Sequence, residues 1–116
     1  MAIDYRRMKK TATRLVTGAG RDWTITRKGE VRMVRGVEVT DPDEVLVATG
    51  VRTEYALREI DGVRVLTGDL RIVFTADVEL RLGDLVAVDG QQYRIVAPNP
   101  VKPADELICY RAQLRV

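Results

Sequence analysis

The stretch Gly83-Asp84-Leu85-Val86-Ala87-Val88-Asp89-Gly90-Gln91-Gln92-Tyr93-Arg94-Ile95-Val96 decides the fold class. Two short runs rich in β-branched and aromatic residues flank Asp89-Gly90. That dipeptide suits a type I′ turn, because both central residues need φ > 0. The runs 85–88 and 93–96 are therefore expected to pair as an antiparallel hairpin.

The same grammar extends outward. Gly68-Asp69 separates Val63 to Leu66 from Leu70 to Thr75, which reads as two more strands around a tight turn. Downstream, Asn99 to Pro103 is a proline-bounded connection. Leu107 to Val116 is a closing strand, with Leu107, Cys109, Leu114 and Val116 divided between its faces by a bulge. Upstream, Trp23 and Ile25 alternate with Thr24 and Thr26, the period of a half-buried strand. Val45, Val47 and Val51 continue the sheet, with a bulge or bend at Gly50. Tyr55 to Ile60 has room for a single helical turn before Asp61-Gly62.

The amino-terminal segment changes period. Tyr5, Met8, Ala12 and Leu15 fall on one stripe of a helix running from Tyr5 to Val16, and that stripe is expected to pack on the body. Asp4 is the expected N-cap, and Gly18 and Gly20 supply the stop. Residues 28–44 fit neither period well. They are expected as a long mobile loop, or as a short hairpin of Val31, Met33, Val37 and Val39 around Arg35-Gly36. The expected fold is mainly β: a small antiparallel barrel or sandwich of six or seven strands with an N-terminal helix. One domain over 1–116 accommodates this, with 1–20 as helix and cap and 21–116 as barrel.

Composition narrows the chemistry. The chain of 116 residues has no His, no Ser and one Cys. An imidazole base is therefore missing for Ser-His-Asp or Cys-His catalysis, and Cys/His zinc ligands are missing too. A lone cysteine forms no internal disulfide, so nothing argues for secretion. No run of 18 apolar residues occurs, and MAIDYRRMKK has no hydrophobic leader region, so the protein is expected to be cytoplasmic where it is made. Nineteen basic residues face seventeen acidic ones. Five of the cations (Arg6, Arg7, Lys9, Lys10 and Arg14) lie in the first 14 residues beside one acid, Asp4. Fifteen of the cations are Arg, which suits fixed ion pairs and interfaces better than Lys.

No candidate site for catalysis, cofactor or metal stands out. The acid groups Asp41/Asp43/Glu44, Asp77/Glu79 and Asp105/Glu106 are of the type that holds a cation or does acid/base work, but this composition makes such pairs common by chance, and the first group sits in a turn where Asp is favoured for backbone reasons. Thr17-Gly18-Ala19-Gly20 follows a helix and does not open one, so it lacks the amide cradle of a phosphate loop. Cys109, within Leu-Ile-Cys-Tyr, is expected as a buried small hydrophobe. The aromatic residues are expected mainly in the core, not on a base-stacking face.

In the C-terminal half an ordered set of motifs appears. Ile60-Asp61-Gly62 and Gly68-Asp69 precede Gly83-Asp84-x4-Asp89-Gly90-x2-Tyr93-x-Ile95-Val96. Pro100-x2-Pro103 and Tyr110-x2-Gln113-Leu114-Arg115 follow. With the leading Asp4-Tyr5 helix, the chain resembles the head–tail joining (head-completion, neck or connector) proteins of tailed bacteriophages and prophages. The resemblance spans residues 1–20 and about 60–116. It implies a non-enzymatic virion protein without cofactors, monomeric when free and assembling as a ring at the neck. Its partners would be other copies of itself, the portal or its adaptor, and the tail, with no membrane. On that picture Arg32, Arg35 and Glu38 lie at contacts between copies. Arg6, Lys9 and Lys10 would meet a neighbouring ring or the packaged DNA end. A small nucleic-acid-binding barrel is the alternative, and an acid-dependent hydrolase or metal enzyme a third.

Overall fold

The computed structural model describes residues 3–116. Helix α1 (Tyr5–Ala19) leads into strands β1 (Arg21–Arg27), β2 (Val31–Val34), β3 (Val37–Thr40) and β4 (Glu44–Glu54). A 3-10 turn at Leu57–Glu59 precedes β5 (Leu70–Thr75), β6 (Leu85–Val88), β7 (Gln91–Ala97), β8 (Pro100–Val101) and β9 (Cys109–Arg115).

Six strands close into an antiparallel barrel. β5, β4, β1, β6, β7 and β9 are neighbours in that order, and β9 pairs back onto β5. β8 is an extra strand beside β9, where only a connection was expected. Closure removes the free edges that an open sheet would expose. The inward face follows the two-residue period: Trp23 and Ile25 from β1, Leu70, Ile72 and Phe74 from β5, Val86 and Val88 from β6, Ile95 from β7. β6 and β7 pair around Asp89-Gly90, whose φ values of 49° and 76° are those of the expected I′ turn.

Gly50 marks where β4 changes neighbours, from Arg21 of β1 to Phe74 of β5. No bulge is needed there. A Cβ at this position would lie 2.7 Å from Ile72 Cγ2 and 2.8 Å from Phe74 Cδ1, so the missing side chain lets β4 bend over the core. Trp23 Nε1 donates to the Gly50 carbonyl at 2.9 Å, satisfying a buried indole.

Three expectations are corrected. Val63 to Leu66 is a turn, not a strand. The Asp61 carboxylate accepts the N–H groups of Val63, Arg64 and Val65, and Asp69 accepts that of Leu66, so those donors are unavailable to a ladder. The irregularity near the C-terminus lies on β7, where pairing with β9 slips between Ile95 and Ala97; β9 itself is regular against β5. Consequently Tyr110, Ala112 and Leu114 point inward. Cys109 is half-buried on the outer face, so it is not a core residue.

The helix is the third correction. Asp4 caps it as expected, accepting the Arg7 N–H at 3.1 Å. The face turned to the barrel, however, carries Tyr5, Lys9, Ala12, Thr13 and Val16, and of these only Val16 is fully buried. Met8 and Leu15, expected inward, are 43% and 61% exposed. The chain passes straight from Gly20 into β1, and Gly20 sits against the Gly50 backbone where any Cβ would clash. That close approach sets the rotation of the helix, and local periodicity carries no information about it.

Candidate assembly surfaces

Within residues 28–44 the chain takes the ordered alternative to a mobile loop: β2 and β3 form a two-stranded hairpin separate from the barrel sheet, and Glu44 already belongs to β4. Its turn is Arg35-Gly36, with φ of 52° and 80°. Directly opposed pairs are Val31 with Thr40, Arg32 with Val39, Met33 with Glu38, and Val34 with Val37. Opposed residues share a face, so Val31, Met33, Glu38 and Thr40 lie on one side, with Arg32, Val34, Val37 and Val39 on the other. Both sides are exposed along the whole hairpin. The arm packs extensively on no other element among the described residues.

Its root, by contrast, is pinned. The Arg27 guanidinium donates to both carboxylate oxygens of Asp84, at 3.0 and 2.9 Å, and to the Glu79 carbonyl at 2.8 Å. Asp84 is 2% exposed and also accepts the Arg81 N–H. Hydrogen bonding to Asp84 raises the Arg27 pKa above its ordinary value, against the effect of burial. Asp43 accepts the Gly29 N–H at 2.9 Å and pairs with Lys28 at 3.2 Å. The Gly29 amide, and then Lys28, hold the Asp43 carboxyl below its usual range. The arm therefore leaves the barrel from a fixed base.

A comparable clamp closes the other end of the sheet. Asp69, 6% exposed, receives two hydrogen bonds from Arg115 and one from Gln113. Burial works to raise the Asp69 pKa. The hydrogen bonds from Arg115, Leu66 and Gln113 outweigh it and hold the group low. Both buried acids are thus structural ion pairs. Neither clamp was legible beforehand, because the partners are 46 and 57 residues apart in the chain.

The helix presents two surfaces. Arg6, Lys9, Lys10 and Arg14 line a cleft of about 700 Å³ whose far wall includes Asp77 and Glu106. Lys9 is already paired with Glu106 at 3.5 Å. Beside it, Met8, Ala12 and Leu15 run with Arg7 and Thr11 along a second groove of about 570 Å³.

The expected contact residues therefore fall into two groups on different elements. Arg6, Lys9 and Lys10 share the helix cleft, while Arg32, Arg35 and Glu38 share the hairpin. Arg32 is occupied by Asp41 at 3.1 Å, and Arg35 sits in the turn. Sequence reasoning missed the exposed Met8/Leu15 groove. Among the described residues, no three His, Cys, Asp or Glu side chains are grouped to hold a metal ion. No helix among them is long and apolar enough to cross a membrane.

The class is thus a closed six-stranded antiparallel barrel with a docked helix and a projecting hairpin. Comparison with known protein families, curated proteins and solved structures found no match.

Proposed function

We propose that this chain is a structural assembly protein of the head–tail junction of a tailed bacteriophage or prophage, working as a ring at the neck of the virion. The single observation that carries the assembly reading is the β2–β3 arm. Val31, Met33, Val34, Val37 and Val39 are all exposed, from 36% to 67%, on a hairpin that no other element among the described residues packs against extensively. A two-stranded hairpin alone is marginally stable in water, and apolar faces of this kind gain stability when a partner covers them. An arm anchored by Arg27–Asp84 and bare beyond Gly29 suits a subunit completed by its neighbours. The neck assignment itself comes from the motif order from Ile60 to Arg115 together with the Asp4-Tyr5 helix.

On this reading the partners are further copies of the chain, the portal or its adaptor, and the tail. The cleft of Arg6, Lys9, Lys10 and Arg14 is the surface offered to an acidic neighbour or to the packaged DNA end. The chain does no catalysis and needs no cofactor. The alternative, a small nucleic-acid-binding barrel, loses support because Trp23, Phe74 and Tyr110 are buried inside the barrel and the partly exposed Tyr5, Tyr55 and Tyr93 lie on three separate segments, not on one strand.

The test is deletion of the gene in an inducible prophage or phage that carries it. Filled heads and free tails that no longer join, with the polypeptide present in purified wild-type particles, are the expected result. Normal joined particles from the deletion, or wild-type particles lacking the polypeptide, overturn the reading.

A further inference from the structure

We infer that the hairpin of one copy seats on the helix of a second copy. Val31 and Met33 would lie along Met8, Ala12 and Leu15, and Glu38 would pair with Arg7. The inference rests on the reading that copies of this chain assemble with one another, and it names the contact.

Three observations lead to it. First, among the exposed apolar residues, Met8 and Leu15 on the helix and Val31 and Met33 on the hairpin form surfaces on elements that do not pack together. The helix packs on β4, β5 and β9, the hairpin essentially on itself. One surface of a chain therefore cannot cover the other of the same chain in this conformation, but it can cover that of a neighbour. Such a contact uses different patches on the two subunits, and contacts of this kind propagate into rings or filaments instead of stopping at a pair.

Second, the charges favour one face. The Val31/Met33 side of the hairpin carries Glu38 directly opposite Met33, and Glu38 has no ion pair among the described residues. The Met8/Leu15 groove is lined by Arg7, which likewise has no ion pair among them, and by Asp4, whose carboxylate is engaged as the helix N-cap by the Arg7 N–H. The other hairpin face has Arg32, already held by Asp41, and would bring its cation against Arg7. Opposite charges at the rim of an apolar contact set register and exclude the wrong face.

Third, the size fits a weak contact. One face of a four-residue-per-strand hairpin covers only a few hundred Å², below the roughly 800 Å² per partner of a stable standard interface. A single contact is then weak and the free chain stays monomeric. A closed ring, or copies already held side by side on a larger assembly, adds the contacts together.

The experiment traps the contact covalently in the full-length chain. Cys109 is first replaced (Cys109→Ser) to remove the native thiol. One chain then receives Met33→Cys, and a second, distinguishably tagged, receives Leu15→Cys. The two are mixed at high concentration with oxidised glutathione. Expected is a mixed disulfide between positions 33 and 15 in clear excess over that formed when Leu57→Cys, on a fully exposed turn, replaces Leu15→Cys. Charge reversal by Glu38→Arg should cut the yield about fivefold, and Arg7→Glu in the other chain should restore it. Circular dichroism of each variant separates loss of contact from loss of fold. A yield no higher than the Leu57 control, or charge reversal without effect, overturns the inference. Oligomers that form in sedimentation without the 33–15 product overturn this seat and leave the assembly reading standing. The assembly reading itself is decided by the deletion experiment.

Discussion

Asp84 shows how much one residue organises. Its carboxylate takes a bidentate pair from Arg27 and the N–H of Arg81, and it sits just before the hairpin strand β6. Removing it strands a half-buried guanidinium and an unpaired amide, since a broken buried pair costs more than the intact pair contributes. Asp84→Ala is expected to lower unfolding free energy by about 3 kcal/mol. Urea denaturation followed by tryptophan fluorescence of Trp23 reads this directly. A loss under about 1 kcal/mol would mean that Arg27 finds Glu44, 3.8 Å away, as an adequate substitute.

Between elements, the barrel and the arm are energetically separate. β2 and β3 bury no residue, while every barrel strand contributes to one continuous core. Replacing residues 31–40 by a two-glycine turn should therefore leave barrel stability within about 1 kcal/mol of wild type. It should also shrink the molecule. The Cα radius of gyration is 16.3 Å, with a longest extent of 58 Å. A compact chain of this length is expected near 13–14 Å. Small-angle scattering of the shortened variant should move clearly towards that value. An unchanged radius would show that the arm folds back on the barrel in solution.

The whole molecule has an unusual titration profile because it holds no His. Asp43, Glu59, Asp61 and Asp69 all titrate below their ordinary values. For Asp43, Glu59 and Asp61 the chief cause is a hydrogen bond from a backbone N–H, and for Asp69 the bonds to Arg115, Leu66 and Gln113 overcome burial. Each group holds its proton less tightly folded than unfolded. Their stabilisation is therefore fully present above the unfolded carboxylate range near pH 4 and is lost as pH falls through the depressed folded values. Burial raises the one thiol, Cys109, away from neutrality. Stability should be flat from about pH 5.5 to 7.5 and fall only below about pH 4. Thermal melts across this range check it, and a step centred near pH 6.5 would contradict it.

Much of the fold was readable locally. Asp89-Gly90 between β-branched runs, the alternation of Trp23 and Ile25, and the Asp4 cap each depend on residues a few positions apart, and each holds. The same local reading failed wherever a distant group intervened. Val63 to Leu66 has a strand pattern, yet the Asp61 and Asp69 carboxylates take its N–H groups. Met8 and Leu15 mark a real apolar stripe, yet the meeting of Gly20 with Gly50 turns that stripe outward. Period and turn chemistry belong to the chain by itself, because backbone sterics and side-chain spacing act within a few residues. Closure of β9 onto β5, the Arg27–Asp84 and Asp69–Arg115 clamps, and the choice of which apolar surfaces stay bare were decided only in three dimensions. Burial and ion pairing there join residues that sequence distance keeps apart.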